Sequence, residues 1–326
     1  MLSRSAEGLF WLGRYIERAE NVARLIDAAC NIDNMPQESP LPGTEWSAIL
    51  IAAGCRDTFQ GDIETSDGPA AIRHLLIDPQ NPSSIFNSFE CARSNARAQR
   101  VAITQEVWTS VNEGWREIRD VSDADCTGGG LSRVLDRVRA LAADFRGAVA
   151  GTQLRNAGFD FLRLGESLER ADATARLLDV KYHVLLPETQ PVGGGYDQLQ
   201  WNNLLRAAGV RSAYKWAYRA EVSAELVVDF LALNRQCPRS LHFCYASMCR
   251  RLDRLCEKPS RSREALGQAC DIRATLSRDT AKEMLAFGLH EYLTDKIVRT
   301  NTLAQTIGAD FGFGSVAAQT QQQTQS

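Results

Sequence analysis

A segment of sixteen residues near the start of the chain occurs again 152 residues later. Segments 12–27 and 164–179 share nine identical positions, which in the first segment are Leu12, Gly13, Glu17, Arg18, Ala19, Ala23, Arg24, Leu25 and Asp27. In both segments the apolar residues step by three and four, which is the period of an amphipathic helix. The repeat therefore predicts two similar helices, one in each half of the chain.

Two further blocks repeat at nearly the same offset. The block from Trp46 to Phe59 matches 201–214 at an offset of 155, and the block from Leu75 to Ile85 matches 231–241 at 156. A period this long is not that of a solenoid, so the blocks predict one internal duplication whose halves are related by a pseudo-twofold axis. The predicted domain is a single one over residues 1–310, built from two repeats at about 1–151 and 152–310.

The rest of the sequence also has helical periodicity. Long helices are predicted near 84–120, 131–156, 159–186 and 262–308, with a break in the last one near Gly288. Since no segment has the alternation of a strand, the predicted fold class is all-α, an internally duplicated helical bundle with long helices. The polar, glutamine-rich residues 311–326 predict a disordered tail.

Composition excludes several classes of protein. With 44% hydrophobic residues, 24% charged residues and a net charge of −3 over 326 residues, the chain has no basic excess that would favour nucleic acid. The apolar run from Leu9 to Leu12 is too short for a signal peptide core or a membrane span. Nine cysteines without a small disulfide framework fit reduced thiols. These features predict a cytoplasmic protein that binds neither membrane nor nucleic acid.

The polar face of the repeated helix is retained together with its apolar face. Gly13, Glu17, Glu20, Arg24 and Asp27 share this face, and their counterparts recur in the second copy. One interpretation is structural, with Glu20–Arg24 and Asp172–Arg176 as i,i+4 ion pairs or as buried pairs that set helix orientation. The other is a charged pocket at the pseudo-axis, with Glu17 and Glu169 as general acid or base and Arg24 and Arg176 binding a carboxylate or phosphate.

Differences between the two halves suggest where an anion would bind. Arg14 stands opposite Glu166, a charge reversal that could form a pair across the axis. A basic stripe formed by Arg93, Arg97 and Arg100 occurs in the first half only and places an anionic ligand nearer that half, although a solvated helix face explains it equally well. The candidate ligand-binding residues are Arg14, Arg18, Glu20, Arg24, Arg93, Asn95, Arg97, Arg100, Arg170, Asp172 and Arg176.

Metal and cofactor motifs are weak. Glu17 with Glu20, and Glu169 with Asp172, have the spacing of carboxylates in helical di-metal sites, but the Glu-x-x-His partners are missing. The cysteines around His242 lack a C-x-x-C pair, so buried thiols explain them better than zinc. No metal and no cofactor is predicted.

Several stretches closely resemble the alpha-E domain family of bacterial proteins over about residues 1–310. The resemblance rests on Met1-Leu2-Ser3-Arg4, on the segment from Trp11 to Arg24, and on the motifs at 81–84, 92–97, 168–172, 178–183 and 238–240. Ser94 departs from the acidic residue expected at that position. The resemblance implies a helical protein that accompanies a circularly permuted ATP-grasp ligase, often with a transglutaminase-like protein.

Three functions follow as alternatives. The first is an accessory or substrate-binding component of an ATP-grasp peptide or amide ligase system, which would bind an anionic peptide, a phosphate or the ligase itself. The second is an enzyme that acts on the peptide product through Glu17 or Glu169. The third is a structural scaffold in which every Glu–Arg pair is buried. An open cleft between the two repeated helices would favour the first two, and closed pairs would favour the third.

Overall fold

The fold is all-α, as predicted. The computed structural model describes residues 1–33, 44–63, 66–184, 195–257 and 262–314, and the regular elements in these ranges are helices. The first half contains α1 Ser3–Asp33, α2 Thr44–Ala52, α3 Gly68–Leu76, α4 Ile85–Ala98, α5 Gln105–Arg119 and α6 Gly128–Thr152. The second half contains α7 Ala157–Val184, α8 Gly195–Ala207, α9 Arg211–Tyr218, α10 Ala224–Val228, α11 Leu241–Leu255, α12 Glu264–Leu276, α13 Ala281–Phe287 and α14 Leu289–Phe311.

The two repeated helices, α1 and α7, form the centre of the bundle and pack against each other. α1 and α7 contact each other at Gly13 and Gly165, and again further along both helices at Glu17 and Arg170. Because later residues of one helix contact later residues of the other, the two helices run in the same direction. Both are almost wholly buried over the repeated segment. The polar face of each is therefore enclosed by protein.

Two glycines allow this close approach. A Cβ atom on Gly13 would lie 2.1 Å from the carbonyl oxygen of Leu162, and one on Gly165 would lie 2.0 Å from the carbonyl oxygen of Phe10. Because the obstructing atoms are backbone, no side-chain rotation would relieve either contact. The glycines of the repeat thus bring the two helix backbones together.

Each half contributes a short helix that packs on the central helix of the other half. α2 packs on α7, and α8 packs on α1. α4 and α6 cover the rest of α1, while α11 and α14 cover α7. The result is one continuous apolar core that crosses the boundary between the predicted repeats.

Matching positions of the two halves have matching local geometry. Ser84 and Ser240 cap α4 and α11 by accepting hydrogen bonds from the backbone N–H of Asn87 at 3.2 Å and of Phe243 at 3.0 Å. Gly54 and Gly209, after α2 and α8, are both left-handed, with φ of 71° and 69°. The duplication itself stays a prediction from the sequence.

The prediction of one continuous helix at 84–120 is wrong, because α4 ends at Ala98 and α5 begins at Gln105. Thr104 caps α5 with its side-chain oxygen, and the Gln153 side chain donates to the carbonyl of Ala102 at 2.8 Å. The helix predicted at 262–308 is also divided, with breaks after Leu276 and at Gly288. Only the second of these breaks carries a glycine.

The first residues of the predicted tail belong to the packed structure. Phe311 is buried, and the ring of Phe313 lies 5.5 Å from that of Phe10 and 6.2 Å from that of Phe161. The backbone N–H of Gly314 donates to Glu7 at 3.1 Å. Residues 315–326, which make up the rest of the predicted tail, lie outside the described residues. Among the helices that are described, none has the length and apolar character needed to cross a membrane.

Candidate functional site

The polar faces of α1 and α7 form one buried lattice of carboxylates and guanidinium groups. Glu17, Glu20 and Glu169 are 1%, 0% and 6% exposed. Carboxylates this deeply buried require charged partners, since an unpaired buried charge is very costly. The partners come from the same helices and from two elements far away in sequence.

Glu17 lies at the centre of this lattice. Arg170 on α7 donates to both of its carboxylate oxygens, from Nε at 2.9 Å and from Nη2 at 2.6 Å. Arg239, just before α11, donates to Oε1 at 3.3 Å, and Arg146 on α6 reaches Oε2 at 3.5 Å. Glu17 therefore binds three arginines from three different elements.

Glu20 is held one turn further along α1. Arg24 donates from Nε at 3.1 Å and Nη2 at 2.6 Å, which is the i,i+4 pair predicted from the sequence. Arg239 donates from Nη2 at 2.8 Å, and Arg146 binds the other carboxylate oxygen. Arg239 and Arg146 thus bridge Glu17 and Glu20.

Glu169 has the reciprocal arrangement on α7. Arg18 donates to Oε1 at 2.6 Å and to Oε2 at 3.2 Å, and Arg14 donates to Oε2 at 2.7 Å. Each Glu-Arg dipeptide of the repeat therefore binds the other, because Glu17 pairs with Arg170 and Glu169 with Arg18. The second predicted i,i+4 pair, Asp172–Arg176, is present at 2.7 Å.

The predicted pair between Arg14 and Glu166 is wrong. Glu166 instead accepts a hydrogen bond from Arg170 at 2.6 Å, one turn away on the same helix, and also binds Arg163. Arg14 is drawn to Glu169 and lies with its guanidinium carbon 4.6 Å from the ring centre of Trp11. The charge reversal between the halves is thus satisfied within the lattice, but not by a direct pair.

The lattice keeps its carboxylates ionised. Burial alone would raise the pKa of Glu169, but Arg18 and Arg14 outweigh it and lower the pKa to about 2. Burial opposes ionisation of Glu17 in the same way, yet Arg170 and Arg239 hold its pKa well below the usual range. Efficient acid or base groups have pKa values near the working pH. The geometry therefore disfavours the predicted acid or base role of Glu17 and Glu169.

One small cavity adjoins the lattice. It has a volume of about 40 Å³ and lies between α1, α2 and α7, beside Ser83, Glu169 and Asp172. Oδ1 of Asp172 and Nδ2 of Asn21 are buried there without a hydrogen-bond partner. A volume of this size has room for a few water molecules and none for a peptide.

The basic stripe of α4 does not join the lattice. Arg93 donates to Oδ1 of Asn112 on α5 at 2.9 Å, and Arg100 lies over the ring of Trp108 at 5.7 Å. Arg97 is exposed and Asn95 is partly buried on the same helix. Arg93 and Arg100 thus contact α5, and the prediction that the stripe binds an anion stays a prediction.

Sequence reasoning did not assign two residues of the lattice, Arg146 and Arg239. Arg239 stands where the first half has Ser83, at the offset of 156, within a Pro-x-Ser motif common to both halves. The difference between Arg239 and Ser83 was the signal in the sequence that could have identified Arg239. Arg146 carries none, because it lies on an ordinary amphipathic helix, and only the packing of α6 against α1 brings it to Glu17 and Glu20.

Metal binding has no support in the part of the chain that the structure describes. No group of three or more histidine, cysteine, aspartate or glutamate side chains there could hold a metal ion. The carboxylates with the spacing of a di-metal site, Glu17 with Glu20, bind arginines instead.

Comparison with known proteins gives the family. The model of the Alpha-E family, described as a predicted alpha-helical domain with a conserved ER motif, matches residues 1–311. The chain belongs to the Alpha-E family. Its two ER motifs are Glu17-Arg18 and Glu169-Arg170, whose side chains bind each other across the central helix pair of this Alpha-E domain.

Curated relatives are longer proteins. Uncharacterized proteins of Mycobacterium bovis and of two Mycobacterium tuberculosis strains, CDC 1551 and H37Rv, are each 25% identical over 254 residues. The match covers 73% of this chain and only 28% of each relative. No solved structure matches the chain significantly.

Acid is expected to destabilise the Alpha-E domain through Glu169. The pKa of this carboxylate falls from 4.5 to about 2 on folding, so the unfolded chain binds the proton more tightly than the folded one. Its stabilising contribution is complete above pH 4.5 and is lost as the pH falls towards 2. Urea unfolding at successive pH values measures this loss.

The matched variants are Glu169→Gln and Glu113→Gln, the second on the exposed side of α5. Glu169→Gln is expected to reduce the slope of unfolding free energy against pH in this window, and Glu113→Gln to leave it unchanged. Equal slopes for Glu169→Gln and the parent chain would contradict the prediction.

Proposed function

We propose that the chain is a non-catalytic helical subunit that works with an ATP-grasp peptide or amide ligase. The closure of the Glu–Arg lattice favours a structural role for the repeated helices and so supports the non-catalytic part of this proposal, whereas the ligase partnership rests on the family resemblance. Both oxygens of Glu17, Glu20 and Glu169 are engaged by arginines. A lattice closed in this way orients helices and leaves none of these three glutamates for a substrate.

The ligase partner follows from the resemblance to the Alpha-E family, which implies a circularly permuted ATP-grasp protein as companion. The relatives add support, because the matched region makes up 28% of their length and is joined there to much additional chain. A domain that occurs within longer proteins commonly acts together with other domains. A transglutaminase-like protein is the second partner that the resemblance implies.

The alternative of an enzyme that uses Glu17 or Glu169 has less support. Such an enzyme needs a carboxylate whose pKa lies near neutral and which reaches an open cleft. The arginines lower the pKa of both carboxylates, and the adjoining cavity of about 40 Å³ is too small for a peptide. The purely structural alternative describes the lattice well, and the proposed subunit uses it as its framework.

The test is reconstitution with a circularly permuted ATP-grasp protein, the companion that the resemblance implies. The two proteins are co-expressed, size-exclusion chromatography measures the complex, and mass spectrometry follows the ligation product. We expect a complex, a change in product or rate when this chain is added, and no turnover by this chain alone. A heat-unfolded sample of the chain serves as control.

Two results would overturn the proposal. The first is an unchanged product and rate together with separate elution of the two proteins. The second is turnover of the peptide substrate by this chain without the ligase.

A further inference from the structure

A second cleft lies in the other half of the bundle, away from the Glu–Arg lattice. It has a volume of about 460 Å³ and is formed by the segment before α11, by α11 and by α12. Its polar lining consists of Arg235, His242, Arg273, Ser277 and Arg278. No acidic side chain contributes to the lining.

No carboxylate in the described part of the chain pairs with the three arginines of this cleft. Among the described residues, none of Arg235, Arg273 and Arg278 forms a salt bridge with a carboxylate, although the whole chain carries a net charge of −3. By contrast, Arg14, Arg18 and Arg170 in the lattice all do. The cleft is therefore a local concentration of uncompensated positive charge.

His242 adds a buried polar atom to the cleft wall. The residue is only 7% exposed, and its Nε2 lies 3.0 Å from the hydroxyl oxygen of Ser277. The other ring nitrogen, Nδ1, is buried without a hydrogen-bond partner. Because the Ser277 hydroxyl donates to the carbonyl oxygen of Arg273 at 2.9 Å, it accepts from Nε2 of His242, and the neutral ring presents no proton at Nδ1.

We propose that this cleft binds a phosphoryl group, either as inorganic phosphate or as a phosphate monoester. Three guanidinium groups supply more donors than the two oxygens of a carboxylate can accept. A phosphoryl group offers three or four oxygens and two negative charges, and guanidinium forks match its geometry.

The site belongs to the second half of the chain only. At the offset of 156, His242 corresponds to Phe86 and Arg273 to Glu117. The expectation that an anion binds nearer the first half rested on the Arg93 stripe, whose side chains contact α5. The inference is independent of the proposed partnership with a ligase and goes beyond it, since the isolated chain suffices to test it.

Isothermal titration calorimetry on the full chain tests the site. Inorganic phosphate and phenyl phosphate are titrated at low chloride, because salt screens exposed charges. We expect binding of both anions, whereas acetate binds at least about tenfold more weakly because it accepts fewer charged hydrogen bonds. Tighter binding of phenyl phosphate than of inorganic phosphate identifies the ester as the preferred form, and the reverse identifies free phosphate.

Substitutions separate this site from general charge attraction. Arg273→Ala is expected to weaken phosphate binding by about tenfold or more, the effect of one lost charged hydrogen bond. Arg116→Ala removes an exposed arginine of α5 and is expected to leave binding unchanged. If Arg273→Ala fails to fold, the exposed Arg278 provides the same test as Arg278→Ala.

Three outcomes would overturn the inference. The first is no binding of either phosphate compound up to about 10 mM, which corresponds to a negligible affinity. The second is an equal loss of binding in Arg273→Ala and Arg116→Ala. The third is acetate binding as tight as that of phosphate.

Discussion

Gly165→Ala is expected to destabilise the chain by about 3 kcal/mol or more, at the upper end of the usual cost of overpacking. The new methyl group would lie 2.0 Å from the carbonyl oxygen of Phe10, so α1 and α7 have to separate. Separation also lengthens the hydrogen bonds from Arg14 and Arg18 to Glu169, which cross the same interface. Urea unfolding measures the loss as a lower midpoint.

Gly147→Ala is the matched control for this change. Gly147 lies within α6, where a Cβ atom would meet nothing within 4 Å. Alanine there is expected to stabilise the chain by about 0.5–1 kcal/mol, because glycine is the poorer helix former. Similar effects of the two substitutions would show that the close crossing of α1 and α7 is not what the glycine supports.

Arg170→Met is expected to destabilise the chain by about 3–5 kcal/mol, the range found when one partner of a buried ion pair is removed. Arg170 donates to both oxygens of Glu17 and to Glu166, and these two carboxylates are 1% and 3% exposed. Methionine fills part of the volume but leaves the charges of Glu17 and Glu166 without their main partner. Chemical denaturation gives the difference in unfolding free energy.

The control is Arg137→Met, which removes the partner of Glu117. That pair is bidentate as well, but its side chains are 47% and 41% exposed. Its loss is expected to cost about 0–1 kcal/mol. If Arg170→Met cost no more than Arg137→Met, the buried lattice would not stabilise the fold.

The helices could be predicted to different degrees, for identifiable reasons. α1 and α7 carry a strong apolar period, which predicted a helix at each of the two repeated segments. The break between α4 and α5 has neither glycine nor proline at 99–104. It depends on the Thr104 cap and on Gln153, whose side chain donates to Ala102 from a distance of 51 residues in sequence. A contact between elements so far apart in sequence leaves no local pattern.

For the charged residues of the two central helices, the sequence predicted which side of the helix they share. It did not predict most of their partners. Helical periodicity places Glu17, Glu20 and Arg24 on one side of α1 and indicates the Glu20–Arg24 pair, because both partners lie on the same helix. The pairing of Glu17 with Arg170 depends on how α1 crosses α7. The contribution of Arg239 depends on a segment 222 residues away from Glu17.

The sequence by itself determined the all-helical fold, the two related central helices and the set of charged side chains between them, because periodicity and repetition are local properties of the chain. Only the tertiary structure decided whether those charges form an open site or a closed lattice. That outcome depends on the backbone approach at Gly13 and Gly165 and on arginines delivered by α6 and by the segment before α11. Only the packing of helices distant in sequence brings these groups together, whereas the arginine cleft around His242 is formed by the consecutive helices α11 and α12.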